Sequence, residues 1–161
     1  MLNPVRDKAV ATLLAKCQRA LTNQGVFTEK KEAATADIRQ KLIATCDDGS
    51  LKSVRDAALL SVAFSSGGRR RSEIVRMRYE DLKQVPGGYT IKLYFSKGNY
   101  QGVPREFPVK GVSANLLTKW LEMSGINPGP LFRSVGRYQT IGDILNAKAV
   151  NTIFIRLRSL L

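Results

Sequence analysis

RDAALLSVAFSSGGRRRSE, Arg55 to Glu73, is the stretch whose reading decides the rest of this chain. Within it and just before it, Val54, Ala57, Ala58, Leu60, Val62 and Phe64 make the segment Leu51 to Ser65 apolar on most sides, which predicts a helix buried at the centre of a domain. Gly67 and Gly68 end that helix, because glycine accepts backbone angles that other residues resist. Three arginines follow, then a serine and an acid that open a short new helix, Arg70 to Met77. Guanidinium groups bind phosphate oxygens in bidentate fashion, and Glu73, three positions after Arg70, is placed to hold that side chain from the next helical turn. Two readings of the run stand side by side: a phosphate grip on a rigid support, or a solvated basic turn with Glu73 in a surface ion pair.

The chain has 161 residues, enough for one domain and an appendage that together bury roughly two-thirds of the unfolded surface. Its 26 Lys and Arg against 13 Asp and Glu give a formal charge of +13, which favours a polyanion through phosphate neutralisation and counterion release. Nucleic acid is the first candidate partner and a membrane surface the second, but no segment approaches the roughly 20 apolar residues needed to span a bilayer. With no signal peptide visible at Met1 to Gly25, a soluble cytoplasmic protein is expected. Two cysteines, Cys17 and Cys46, lack metal-site spacing and read as reduced, half-buried thiols. Histidine is absent altogether, which removes the commonest general base and the commonest zinc ligand.

Around the decisive stretch, Asn3 and Pro4 signal the start of a helix running to about Thr22, and residues 26–34 read as a polar linker. A second helix is expected over Thr35 to Thr45. After the arginine run, Tyr89, Ile91, Leu93 and Phe95 alternate with polar residues, Val103 to Val109 supplies a return strand, and Leu82 to Val85 adds a third through the turn at Pro86 to Gly88. Pro104 and Pro108 place the return strand at a sheet edge. Ser113 is expected to cap a helix through Ser124 with a core stripe of Leu116, Leu117, Trp120 and Leu121; irregular chain comes next, and Asn146 caps a last helix carrying Val150, Ile153 and Leu157. The fold class is α+β: mostly helical, with a small antiparallel sheet of two or three strands.

Taken in order, RDAALL, GGRRRSE, IVRMRYEDL (Ile74 to Leu82), a hairpin tipped by SKGN (Ser96 to Asn99), VPREFPV and PLFRS (Pro130 to Ser134) resemble the catalytic domain of the tyrosine recombinase or phage integrase family. The resemblance covers about Ala34 to Leu161, and implies that residues 1–25 are the end of a core-binding domain, 26–34 a linker and 35–161 a partial catalytic domain. It implies a site-specific DNA recombinase in which a tyrosine attacks a DNA phosphate, leaving a 3′-phosphotyrosyl link and a free 5′-hydroxyl, with no metal or nucleotide cofactor. The partners implied are double-stranded DNA and further protomers in a DNA-bound tetramer, in a bacterial or phage-derived, nucleoid-associated setting.

Matched residue by residue, the family's Arg-x-x-Glu turn places a catalytic arginine on Arg70, with Arg69 and Arg71 as alternatives one position to either side. Such a preorganised donor is typically worth about 10²–10³ in rate. Glu73 is implied to orient it, and Lys97 at the hairpin tip to donate a proton to the leaving 5′-oxygen. Arg69, Arg71, Arg78, Asn99, Arg105 and Arg133 are expected DNA contacts. The departures lie downstream: neither His-x-x-Arg nor a later nucleophilic tyrosine follows, and Tyr79, Tyr89, Tyr94, Tyr100 and Tyr138 all precede the nucleophile's place. With an uncapped apolar end at Leu160 and Leu161, this reads as an enzyme cut short and inactive by itself. A non-catalytic DNA-binding regulator or decoy, and an unrelated basic RNA-binding protein, are the alternatives.

Overall fold

The computed structural model describes residues 7–26, 35–94 and 103–161. The chain divides into two compact units, 1–33 and 34–161. In the first, α1 (Lys8–Asn23) starts where Asp7 adopts an extended backbone and its carboxylate accepts the Ala9 N–H at 2.9 Å. Asn3 and Pro4, from which an earlier start was expected, lie outside the described residues. Cys17, expected to be half-buried, is exposed on this helix.

In the second unit, α2 (Ala36–Ala44) is capped by Thr35, and α3 (Leu51–Ser65) by Ser50. Helix α3 is the axis of the unit: twelve of its residues are buried, and it packs against α5 (Val112–Ser124), α2 and the return strand. Its end has a specific geometry. Gly67 donates its N–H to Phe64 and Gly68 donates to Ala63, both at 3.0 Å, closing the last carbonyls in a Schellman arrangement. Both glycines sit at positive φ, +77° and +71°, with open space where a Cβ would go. Backbone conformation, not crowding, is therefore what demands glycine here.

Helix α4 (Arg71–Ile74) is shorter than the expected Arg70 to Met77. It stops because the chain is captured by another segment: Leu131 donates to the Met77 carbonyl and Tyr79 donates to the Gly129 carbonyl, each at 2.8 Å, and Arg78 bridges Pro130. A 3-10 turn, Tyr79–Asp81, leads into β1 (Leu82–Val85), β2 (Gly88–Leu93) and β3 (Arg105–Lys110), an antiparallel sheet in that order with β3 at an edge as its prolines predict. Gly88 is obligatory for steric reasons, since a Cβ there would lie 2.1 Å from the Val109 carbonyl oxygen. Ile91, Leu93, Phe107 and Val109 bury the inner face of the sheet.

Two expectations fail in the last third of the chain. Ser113 does not cap α5: Gly111, at φ +59°, takes the cap position, and the buried Ser113 hydroxyl instead accepts from Ser65 at 2.8 Å. The segment expected to be irregular contains a hairpin, β4 (Arg133–Val135) and β5 (Ile141–Ile144), whose bulged, short strands lack a readable period of two. Helix α6 (Ala147–Arg158) begins as expected, with the Asn146 side chain accepting from Lys148 at 2.8 Å. Trp120 fastens the layer beneath by donating its indole N–H to the Leu131 carbonyl at 2.8 Å. Among the described residues no helix is long and apolar enough to cross a membrane.

Candidate nucleic-acid interface

Because α3 is buried along its length and closed by a rigid glycine cap, the residues that follow it leave the core at a set point. Arg70 is the N-terminal cap of α4 in extended conformation, with its carbonyl accepting from Glu73 at 2.9 Å and from Ile74 at 3.1 Å. Its guanidinium approaches the Glu73 carboxylate at 3.6 Å; the arginine side chain is 56% exposed and the glutamate 10%. Glu73 is thus not the surface ion-pair partner that one sequence reading allowed. Its carboxylate is enclosed by the fold, and among the described residues the cation beside it is the half-exposed Arg70.

Facing the turn is the first turn of α6. Arg69, Arg70, Arg71, Ser72, Ala147 and Lys148 line a groove of about 450 Å³, so four cationic side chains converge on one depression. Its chemistry suits an anion with several oxygens: guanidinium forks for bidentate contact, an ammonium point charge and a serine hydroxyl. Lys148 escaped the sequence reading, since nothing in the local pattern links it to residues some 75 positions earlier; only the packing of α4 on α6 does so.

Helix α6 is also tied to α3 by an ion pair, likewise unforeseen. Asp56, fully buried on α3, accepts from Arg55 Nε at 2.8 Å and from its terminal nitrogen at 2.6 Å, and accepts on its other oxygen from Arg156 of α6. Burial pushes the Asp56 carboxyl up from its ordinary value, and the Arg55 and Arg156 guanidiniums pull against that push. Arg55 also donates to the Arg133 carbonyl at 3.4 Å. The same pocket of charge lies near Cys46, whose thiol burial drives up to about 11.

The other expected contacts are dispersed. Arg78 is held by Glu80 at 3.0 Å, whose second oxygen accepts from the Gly129 N–H at 3.3 Å. Arg105 is exposed at the start of β3, and Arg133 is half-buried at the start of β4 with its Nε enclosed and unpartnered. Neither lines the groove. Lys97 and Asn99 lie outside the described residues. No group of three or more metal-ligating side chains gathers among the described residues.

Comparison with known proteins follows the same line. No model of a protein family matches the chain. It is 31% identical over 158 residues to the integrase/recombinase xerD homolog of Selenomonas ruminantium, a match that covers 94% of this chain and 45% of that protein, so the chain spans less than half the length of its relative. Among solved structures, XerA recombinase superposes with a TM-score of 0.59 at 14% identity, covering 95% of this chain and 53% of that one. XerH site-specific recombinase bound to its difH substrate in a pre-cleavage complex gives 0.57 at 18% identity, covering 83% and 38%. At those identities the structural likeness speaks for the fold, and it is the same fold that the ordered motifs imply. The sequence relative and the fold together support a domain of the tyrosine recombinase family.

Proposed function

We propose that residues 35–161 are the part of a site-specific recombinase catalytic domain that grips the DNA backbone, with Arg70 as the clamp on the reacting phosphate. The observation that carries this reading is the groove between the arginine turn and α6, where Arg70, Arg71 and Lys148 meet, with Arg69 at its border, on a chain of charge +13. Arg70 is the best placed of the three arginines: exposed, at the mouth of a rigid cap, and aimed by a buried carboxylate. In the reaction it would neutralise charge developing on the phosphate, Lys97 would protonate the leaving 5′-oxygen, and residues 1–25 would be the end of a core-binding domain. DNA-bound assembly with further protomers belongs to the same reading.

The nucleophile is a separate matter. Among the described residues lining the groove there is no tyrosine; Tyr89 shares a hydrogen bond with Thr118 at 2.8 Å, and Tyr138 stands 84% exposed on the β4–β5 turn. The 161-residue chain by itself is therefore expected to bind duplex DNA without cleaving it, which also describes a non-catalytic DNA-binding regulator. Binding to a labelled duplex over a salt series tests the first half: Arg70→Ala is expected to weaken binding roughly ten-fold and to shrink the log–log salt slope by about 0.9, one phosphate's worth. A slope that does not move with Arg70 defeats the clamp. A nicked suicide duplex tests the second half, and a covalent phosphotyrosyl adduct on the parent chain would overturn it. Preference for structured RNA over duplex DNA at equal salt would favour an RNA-binding protein instead.

A further inference from the structure

The three arginines of the turn are not equivalent. Arg70 and Arg71 are exposed, whereas Arg69 is half-buried, its guanidinium carbon 5.7 Å from the centroid of the Phe107 ring. The Arg69 Nε is enclosed and has no hydrogen-bond partner among the described residues. A planar, weakly hydrated guanidinium tolerates such a place because the ring face attracts it and shields its apolar surface. Phe107 is itself buried on β3, which packs against α3. The stack therefore joins the turn to the sheet at the residue immediately before Arg70. It adds a side-chain tie to the sheet beside the backbone link that Gly67 and Gly68 make between α3 and the clamp.

We propose that Arg69 is a positioning residue and not a phosphate contact: by stacking on Phe107 it sets the direction in which Arg70 leaves the turn. The inference rests on the phosphate-binding reading of the groove. Arg69 also borders that groove, so its charge has to be separated from its shape. Methionine keeps a long apolar body that can lie on a ring but carries no charge; alanine keeps neither.

Duplex binding by the 161-residue chain over a salt series separates the roles. Arg69→Met is expected to stay within about two-fold of the parent with the salt slope unchanged, because the number of neutralised phosphates is unchanged. Arg69→Ala is expected to weaken binding roughly five-fold, the scale of a partly desolvated cation–π contact. The double variant Arg69→Ala/Arg70→Ala should bind no worse than Arg70→Ala, since a residue that acts through Arg70 has nothing left to position. Phe107→Leu, approaching the stack from the other side while keeping the core filled, should reproduce the Arg69→Ala loss. Equal losses in Arg69→Met and Arg69→Ala with a slope reduced by about 0.9 would make Arg69 a direct phosphate contact and overturn the proposal, as would unimpaired binding by Phe107→Leu. An Arg70→Ala chain with unchanged salt slope would show failure at the groove itself, before Arg69 enters.

Discussion

Two clusters of arginine and acid in this molecule use the same chemistry to opposite ends. In the core, Arg55 and Arg156 both grip Asp56, which exposes no surface; in the turn, Arg69, Arg70 and Arg71 have Glu73 as their nearby acid, and it reaches only Arg70, at 3.6 Å. The first cluster spends its charge on joining α3 to α6. The second leaves cations over, facing a groove whose far wall is α6. Desolvation explains the division: a buried charge must be matched or the fold suffers, while a surplus at the surface is tolerated and is available to a polyanion. The paired cluster holds the helix that the unpaired cluster needs opposite it.

Asp56→Ala should produce the largest effect on this contrast, because it strands the buried Arg55 without a counter-ion: a loss of about 3–5 kcal/mol in unfolding free energy is expected, read by urea denaturation. Arg70→Ala should do the reverse, costing about 1 kcal/mol or less of stability because its 3.6 Å contact to Glu73 is partly solvated, while weakening DNA binding roughly ten-fold. If both variants lowered stability alike, the distinction between a structural and a functional cluster would collapse. Gly67→Ala comes next: forcing a Cβ into a left-handed backbone at φ +77° should cost about 1–2 kcal/mol and loosen the turn, so DNA affinity should fall with stability where Arg70→Ala separates them.

The smallest expected effect concerns pH and lies at the opposite end of α3. Asp48 accepts hydrogen bonds from the Ser53 hydroxyl and, at 2.9 Å, from the Ser50 N–H, which hold its carboxyl down to about 2. A carboxyl depressed in the folded state contributes stability that is present above its unfolded value of about 3.9 and is lost as pH falls toward its folded one. Acid titration of the thermal midpoint should therefore show a shallower decline between pH 4 and about 2 in Asp48→Asn than in the parent. An identical decline in both would remove Asp48 from the account.

Much of the scaffold was legible because it rests on local rules. The span of α3 follows from its apolar continuity, the end of α3 from Gly67 and Gly68, the start of α6 from Asn146, and the edge position of β3 from Pro104 and Pro108. The candidate site was legible in half: Arg70 and Glu73 could be paired by spacing, and the motif order implied the family. What escaped was non-local. Ser113 has the right residue type for a cap, but Gly111 supplies the positive φ that the entry to α5 requires, and Ser113 answers to Ser65 across the core. The β4–β5 hairpin is too short and bulged to leave a period. Glu73 reads as a surface residue until α4 is seen pressed into the fold.

The sequence by itself determined where most helices and the three-stranded sheet form, that a basic turn follows a buried helix, and that the chain carries a large positive charge, because propensity, periodicity and net charge act over short distances or over the whole chain at once. Only the tertiary structure decided which cations share a groove and which are already taken. Asp56 and Arg156 are one hundred positions apart, and Lys148 comes opposite Arg70 only when α6 packs on α4. Such pairings depend on which buried faces exclude water together, and that is a property of the packed core rather than of any stretch of chain.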